Sequence, residues 1–256
     1  TLGPEEPSLF TQLLRSRGEQ HEQKHLRTLG TYTDLSAGDF GTRHAATITS
    51  VQRKDGVIYQ PVLNGRRSND FIIGIPDLLI KDGDEYLIRD CKLARSAGAS
   101  HPEITRQLNL YGWLFRQEFG VAPLRLEAFL GDGSLVSVYD DGGAEALADL
   151  DQIRNTVELS EDPYEPVGWS KCEGCRFSEY CWNKAHQVQD VALIIGVNQE
   201  IARDLRTRGM SNYVELLEPN AFKQLKTIKG IGTATANKIW NHARALRDQK
   251  ITHMKQ

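Results

Sequence analysis

The sequence is short of several features that would settle its class at once. It contains no apolar run approaching the roughly 20 residues a helix needs to cross a bilayer, which argues against a membrane protein. Its opening, Thr1-Leu-Gly-Pro-Glu-Glu-Pro, has neither a basic stretch nor an apolar one, so nothing there suggests secretion. The missing initiator Met fits a processed product or a piece of something longer. Low-complexity segments are absent. A large net charge is absent too: 31 Lys and Arg against 34 Asp and Glu leave -3. That argues against a protein that coats nucleic acid over its whole surface.

What is present is ordinary in bulk and uneven in distribution. Hydrophobic residues at 39% and charged residues at 25% suit a soluble globular chain. A length of 256 residues allows one large core plus an appendage. From Val191 to Gln256, 11 Lys or Arg face 5 Asp or Glu, so the end is basic and the body acidic. An enzyme that uses metal ions and has a separate grip on a polyanion has this charge layout. Two domains are expected, residues 1–187 and 188–256.

Hydrophobic spacing outlines an α/β core. Ser8 to Leu29 reads as a helix that Ser8 caps, with Leu9, Leu13, Leu14 and Leu26 on one face and His21 and Glu22 along it. Residues 42–54 mix both signals and lean towards helix. Val57–Leu63, Phe71–Ile80 and Tyr86–Leu93 are β-rich, and Lys81-Asp-Gly-Asp marks a hairpin turn. The near-continuous apolar run Phe71-Ile-Ile-Gly-Ile predicts a strand buried on both faces. Pro102–Phe119 is a helix stopped by Gly120, followed by strands at Leu124–Leu130 and Leu135–Tyr139 and a helix from Glu145 to Leu159. A linker at Glu161–Trp169, with Pro163 and Pro166, leads into a cysteine-bearing stretch. From Val191 onward the pattern is helical with no strand signal.

The residues that carry chemistry cluster in Gly74–Tyr111. Phosphodiester hydrolysis needs hard cations to neutralise charge developing on the phosphate and to activate water, and such cations prefer carboxylate oxygens. Asp77 follows Pro76 at the end of an apolar run, and Asp90 and Lys92 lie two apart on the next strand, hence on one face. A hairpin between them brings Asp77 opposite that face. Two carboxylates and an ammonium then converge: the carboxylates would hold Mg²⁺ or Mn²⁺, and the lysine would orient or deprotonate water.

Ile75-Pro76-Asp77, Arg89-Asp90-Cys91-Lys92 and Gln107-Leu-Asn-Leu-Tyr111, in that order, resemble the PD-(D/E)XK nuclease superfamily. The branch is the one containing the RecB nuclease domain and the CRISPR-associated iron-sulfur exonucleases. The resemblance implies a restriction-endonuclease-like fold, a mixed central sheet flanked by helices. It implies Asp77, Asp90 and the backbone carbonyl of Cys91 as metal ligands and Lys92 as the water-activating residue. Gln107 and Tyr111, one helical turn apart, would line the site beside the substrate strand. Gly18-Glu-Gln-His21-Glu22 is similar to the family's Gly-x-x-x-His-Glu pattern with one fewer residue before the histidine, which makes His21 an auxiliary metal ligand. The Cys91 side chain should face away from the metal into the core.

Cys172, Cys175 and Cys181 fall within ten residues, which in a chain without a secretion signal favours metal over disulfide. The iron-sulfur members of this branch resemble that pattern, with three C-terminal cysteines and one near the N-terminus, and imply a [4Fe-4S] cluster. Here no cysteine precedes Cys91. A fourth cysteine upstream of Thr1, a lost cluster, and zinc with His186 as fourth ligand all stay open.

Leu225 to Trp240, with its Gly230-Ile231-Gly232 turn, resembles a helix-hairpin-helix motif, in which glycines let backbone N–H groups approach a phosphate at the start of a helix. The resemblance places Lys226, Lys229, Gly230, Ile231, Gly232, Thr233 and Lys238 on DNA. A fainter copy runs from Ile195 to Leu205, suggesting a tandem all-α unit that holds the backbone without reading bases. A similar arrangement occurs in large RecB-like nuclease-helicase fusions. The expectation is a Mg²⁺- or Mn²⁺-dependent DNA nuclease, exonucleolytic on single strands or ends. Its partners would be DNA and a helicase domain or subunit, with no membrane, and its setting the bacterial cytoplasm and nucleoid. The alternatives are a decayed DNA-binding or scaffolding module and an RNA- or structure-specific nuclease.

Overall fold

The structure is a computed structural model that describes residues 6–98, 100–160, 163–164, 166, 172 and 175–249. Most of the expected linker at 161–169 and the first residues of the chain lie outside them. None of the described helices is long and apolar enough to cross a membrane. The described residues divide into two compact units. One spans Gln12–Ser160, and the other takes the residues up to Thr11 and those from Pro163 onward.

The larger unit contains most of α1 (Leu9–Thr28), then β1 (Thr33–Asp34), α2 (Phe40–Gln52), β2 (Val57–Tyr59), β3 (Leu63–Arg67) and β4 (Asp70–Gly74). These are followed by β5 (Leu78–Asp82), β6 (Glu85–Cys91), α3 (Pro102–Phe119), β7 (Leu126–Phe129), β8 (Leu135–Val138) and α4 (Ala144–Val157). Six strands form one mixed sheet in the order β1-β2-β5-β6-β7-β8, while β3 and β4 pair only with each other. The mixed sheet with flanking helices is the expected fold class for this unit. Alternation sorts the sheet's two faces. Val57, Tyr59 and Leu78 pack with Leu26 of α1, whereas Ile58, Leu79 and Ile88 pack with Leu108, Leu114 and Phe115 of α3.

Local chemistry sets the boundaries. Ser8 accepts from the Thr11 backbone at 3.1 Å and starts α1, but Leu9, Leu13 and Leu14 are exposed, so only the C-terminal part of that apolar face is buried. Asp39 caps α2 through the Thr42 N–H, which settles the ambiguous 42–54 segment as helix. Gly120, in the left-handed conformation at φ 71°, ends α3 as expected. Gly83, at φ 63°, makes the β5–β6 turn between Asp82 and Glu85.

The run Phe71–Ile80 is not one buried strand. It breaks at Ile75-Pro76-Asp77 into β4 and β5, and β4 is largely open, with Phe71 57% and Ile73 38% exposed. The two-stranded ribbon has only one covered face, and that face is pressed closely onto α3. A Cβ on Gly74 would come within 2.4 Å of Leu114, and one on Gly65 within 2.9 Å of Trp113. Apolar content alone did not reveal that the second face has no cover.

The smaller unit is helical. α5 (Ser178–Val188), α6 (Gln199–Thr207), α7 (Ala221–Leu225) and α8 (Thr233–Asp248) surround one apolar core that includes Ala185, Ile194, Leu205, Leu216 and Ile239. Ala185 of α5 is buried in that core, and the cysteine-bearing stretch falls in the same compact unit as the helices, the units dividing near residue 160.

Candidate active site

The β5–β6 hairpin fixes the centre of the site. Its register pairs Leu78 with Arg89, which brings Asp77, just before β5, level with Asp90. Asp90 shares a face with Ile88 and so points to the α3 side, where Gln107 and Tyr111 stand one turn apart. These residues line one cavity of about 360 Å³ together with Cys91, Lys92 and Ile75. The opposite wall comes from Gln60 and, on α1, from Arg15, Gly18, Glu19 and Glu22.

Hydrogen bonds order this cavity in two chains. In the first, the Cys91 backbone N–H donates to Asp77 Oδ2 at 2.7 Å, and Gln60 Nε2 donates to Glu22 Oε1 at 2.8 Å and to Asp77 Oδ1 at 3.3 Å. In the second, Lys92 Nζ pairs with Asp90 Oδ2 and donates to Gln107 Oε1 at 2.6 Å, while Gln107 Nε2 donates to the Tyr111 hydroxyl at 2.8 Å. Gln60 itself is strained, a non-glycine residue at φ 53°. Its conformation is held by its own N–H on Asp77 O at 2.8 Å and by Arg43 donating to its carbonyl at 3.0 Å.

The electrostatics are unresolved within the protein. Burial, then the charges of Asp90 and Glu22, push the Asp77 carboxyl up to about 8, against the pull of the Cys91 N–H and Lys92. The same surroundings push the Cys91 thiol and the Tyr111 hydroxyl upward, burial first and the nearby carboxylates second. Asp90 is 2% exposed, and its Oδ2 has the Lys92 charge beside it but no hydrogen bond. Among the described residues, no three His, Cys, Asp or Glu side chains stand as a preformed metal-binding group, and Gln60 bridges Glu22 and Asp77. The donor set nevertheless fits a hard divalent cation: Asp77, Asp90 and Glu22 are three of the four carboxylates on one cavity, and Asp90 carries a buried oxygen without a hydrogen bond.

The remaining expected residues are placed differently. His21 does not line the cavity: its ring stacks on Phe129 at 4.9 Å and its Nε2 lies 3.3 Å from the Phe129 carbonyl. Glu22 occupies the cavity wall instead. Helical geometry carries the signal for that, since Glu22 is seven residues, two turns, from Arg15 and in line with it, while His21 is turned by about 100° from Glu22. No sequence signal marked Gln60, whose role depends on a backbone turn. Cys91 is half-buried and contributes to the cavity wall. A second cavity of about 380 Å³, beside Arg67, Asp70, Asp151 and Arg154, has these charges paired with one another, Arg67 with Asp151 and Arg154 with Asp70.

Cys172 is buried, Cys175 exposed and Cys181 half-buried. Among the described residues they form no metal-holding group. Further along, the two glycine turns match each other. Gly196 at φ 92° precedes buried Val197 and the start of α6, and Gly230 at φ 85° precedes buried Ile231 and the start of α8. Val197 N–H donates to Ile194 O at 3.0 Å and Ile231 N–H to Ile228 O at 3.1 Å. Thr233 begins α8 beyond Gly232, and Lys226 lies over the Phe222 ring at 5.1 Å.

Comparison with known proteins bears on the larger unit. The family model described as the PD-(D/E)XK nuclease superfamily matches residues 5–182. Among curated proteins no match is found. Two solved structures are similar at low level. "Crystal structure of SSO0001" is 14% identical, covers 69% of this chain and 99% of that one, and has a TM-score of 0.34. "Crystal Structure of Protein of Unknown Function AF1548" is 10% identical over 82% and 99%, with a TM-score of 0.23. At those scores neither bears on fold or function.

Proposed function

The chain belongs to the PD-(D/E)XK nuclease superfamily, and from that premise we propose that it is a Mg²⁺- or Mn²⁺-dependent deoxyribonuclease acting on single strands or DNA ends. The observation that carries the reading is the convergence of Asp77, Asp90 and Glu22 with Lys92 on one cavity. A divalent cation bound there supplies charge neutralisation at the scissile phosphate and a more acidic water. Asp77 and Asp90 would hold it with the Cys91 carbonyl, and Glu22 would be the additional carboxylate in place of His21.

The protein's own groups divide the remaining work. Lys92 pairs its charge with Asp90 and donates one of its three N–H groups to Gln107, leaving donors for a substrate oxygen or the attacking water. Gln107 holds the ammonium in place, and Tyr111 holds Gln107. The buried Tyr111 hydroxyl keeps its proton and acts as a donor or acceptor, never as a base. Lys226, Lys229, Lys238 and the Gly230–Thr233 turn form a helix-hairpin-helix grip on the DNA backbone, and the Gly196 turn forms its partner. A helicase domain or subunit and the nucleoid are the setting this reading fits. Metal at Cys172, Cys175 and Cys181 is not required by it.

Incubation with labelled single-stranded DNA, double-stranded DNA and RNA in Mn²⁺ tests the proposal. Cleavage of DNA that is lost in Asp90→Ala and Lys92→Ala is expected. Undiminished cleavage in both variants, or cleavage of RNA alone, contradicts it.

A further inference from the structure

α1 presents Arg15, Gly18, Glu19 and Glu22 to the catalytic cavity. These are positions i, i+3, i+4 and i+7, a single helical face. Glu22 stands at the carboxylate end. Arg15 lies seven residues back, about 10 Å along the axis at the usual rise. It is exposed and makes no ion pair or hydrogen bond among the described residues. Lys92, the other cation on the cavity wall, is already engaged by Asp90 and Gln107.

Gly18 lies between the two ends. Glycine inside a helix is unfavourable, because it loses the most backbone freedom on folding. Other glycines here are explained by crowding, as at Gly65 and Gly74. A Cβ on Gly18 would meet nothing within 4 Å. No neighbouring side chain demands a glycine, and the space over it opens on the cavity.

We propose that Arg15 and Gly18 form a second phosphate subsite for one nucleic-acid strand. Gly18 leaves a bare strip of helix for the sugar-phosphate backbone to cross, and the Arg15 guanidinium grips a phosphate other than the one being cut. A planar fork of N–H donors suits two phosphate oxygens, which a lysine at the same place would hold only as a point charge. Glu19 borders the strip as an exposed carboxylate with no partner among the described residues and repels the same phosphate. The inference rests on the phosphodiesterase reading of the cavity.

The test compares a labelled oligothymidylate with bis(p-nitrophenyl) phosphate, which has a single phosphodiester and nothing for a second subsite to hold. Arg15→Ala is expected to lower the ratio of kcat/KM for the strand over that for the small ester about tenfold, through KM, with Arg15→Lys intermediate. In EDTA, fluorescence anisotropy should show weaker strand binding and a salt dependence shallower by about 0.7 in log-log slope. Gly18→Leu should shift the same ratio while melting at or above the wild-type temperature, and Glu19→Gln should tighten strand binding. Wild-type ratios and wild-type EDTA binding in both Arg15→Ala and Gly18→Leu overturn the subsite, as does an equal loss on both substrates. A wild-type protein that cuts neither substrate fails at the catalytic reading itself, and the subsite falls with it.

Discussion

Two aspartates, one in each unit, are almost equally buried and have opposite surroundings. Asp190 in the helical unit is 3% exposed and fully partnered: it accepts from Arg206 Nη2 and the Ala192 N–H at 2.8 Å and from the Tyr164 hydroxyl at 3.1 Å. Asp90 in the sheet unit is 2% exposed and faces Asp77 across the hairpin, with Lys92 as its one ion-pair partner among the described residues and one oxygen lacking a hydrogen bond. Burying a charge is costly unless it is paired and hydrogen-bonded. Asp190 meets that condition and is a structural clamp. Asp77, hydrogen-bonded but without an ion pair among the described residues, and Asp90, ion-paired but with an oxygen lacking a hydrogen bond, do not, and on the proposed reading a cation would complete them.

The contrast breaks most visibly in activity. Asp90→Asn should lower kcat for DNA cleavage by about a thousandfold or more, since it removes a proposed metal ligand from the reacting centre. The same exchange should leave the metal-free protein as stable as the wild type or more so, because it relieves repulsion with Asp77. Asp190→Ala should do the reverse. It strands the Arg206 guanidinium and should cost about 3 kcal/mol of stability in the helical unit, read by denaturant unfolding, with no direct effect on the catalytic groups. If the two substitutions destabilise equally, the distinction between the aspartates is void.

Smaller effects sharpen it. Gln60→Ala should weaken Mn²⁺ binding about tenfold, as loss of a hydrogen-bonding partner behind metal ligands usually does, with calorimetry as the measurement. The pH dependence of metal-free stability has a definite sign. The Asp77 carboxyl rises from 3.8 to about 8, so the folded protein retains a proton that the unfolded chain has released within that window. Stability of the metal-free protein should therefore fall as pH climbs from about 4 to 8, and Asp77→Asn should flatten that slope. Lys229→Ala in the second glycine turn should cost only a few-fold in DNA affinity and reduce the salt slope by about 1.

How much of this was legible in the sequence depends on whether a feature is local. Asp77, Asp90, Lys92, Gln107 and Tyr111 were readable because strand alternation, a hairpin turn and one helical turn fix their relative directions. The C-terminal end of α3 and the Gly83 turn were readable for the same reason, each resting on a glycine that must adopt positive φ. Features that depend on distant partners were not. The open face of β4 could not be foreseen because apolar content says nothing about what covers it. Glu22 was hidden behind its neighbour His21, since a motif pattern names residues while the helix decides which of two adjacent side chains faces the cavity. Gln60 reaches the site only through a strained turn held by Arg43 and Asp77, which no spacing encodes. The grouping of the cysteine-bearing stretch with the helical unit follows from Ala185 entering that unit's core, again a contact between segments that sequence order does not reveal.

The claim beneath all of these is that the carboxylates of the sheet unit are arranged for a cation they do not themselves supply. Calorimetric titration of Mn²⁺ into the wild type, Asp77→Asn and Asp90→Asn at pH 7 in two buffers of different ionisation enthalpy measures this directly. The account predicts saturable binding with proton release in the wild type, since Asp77 must give up its proton to bind, and loss of both in either variant. Equal binding in all three proteins, or none in the wild type, would contradict it.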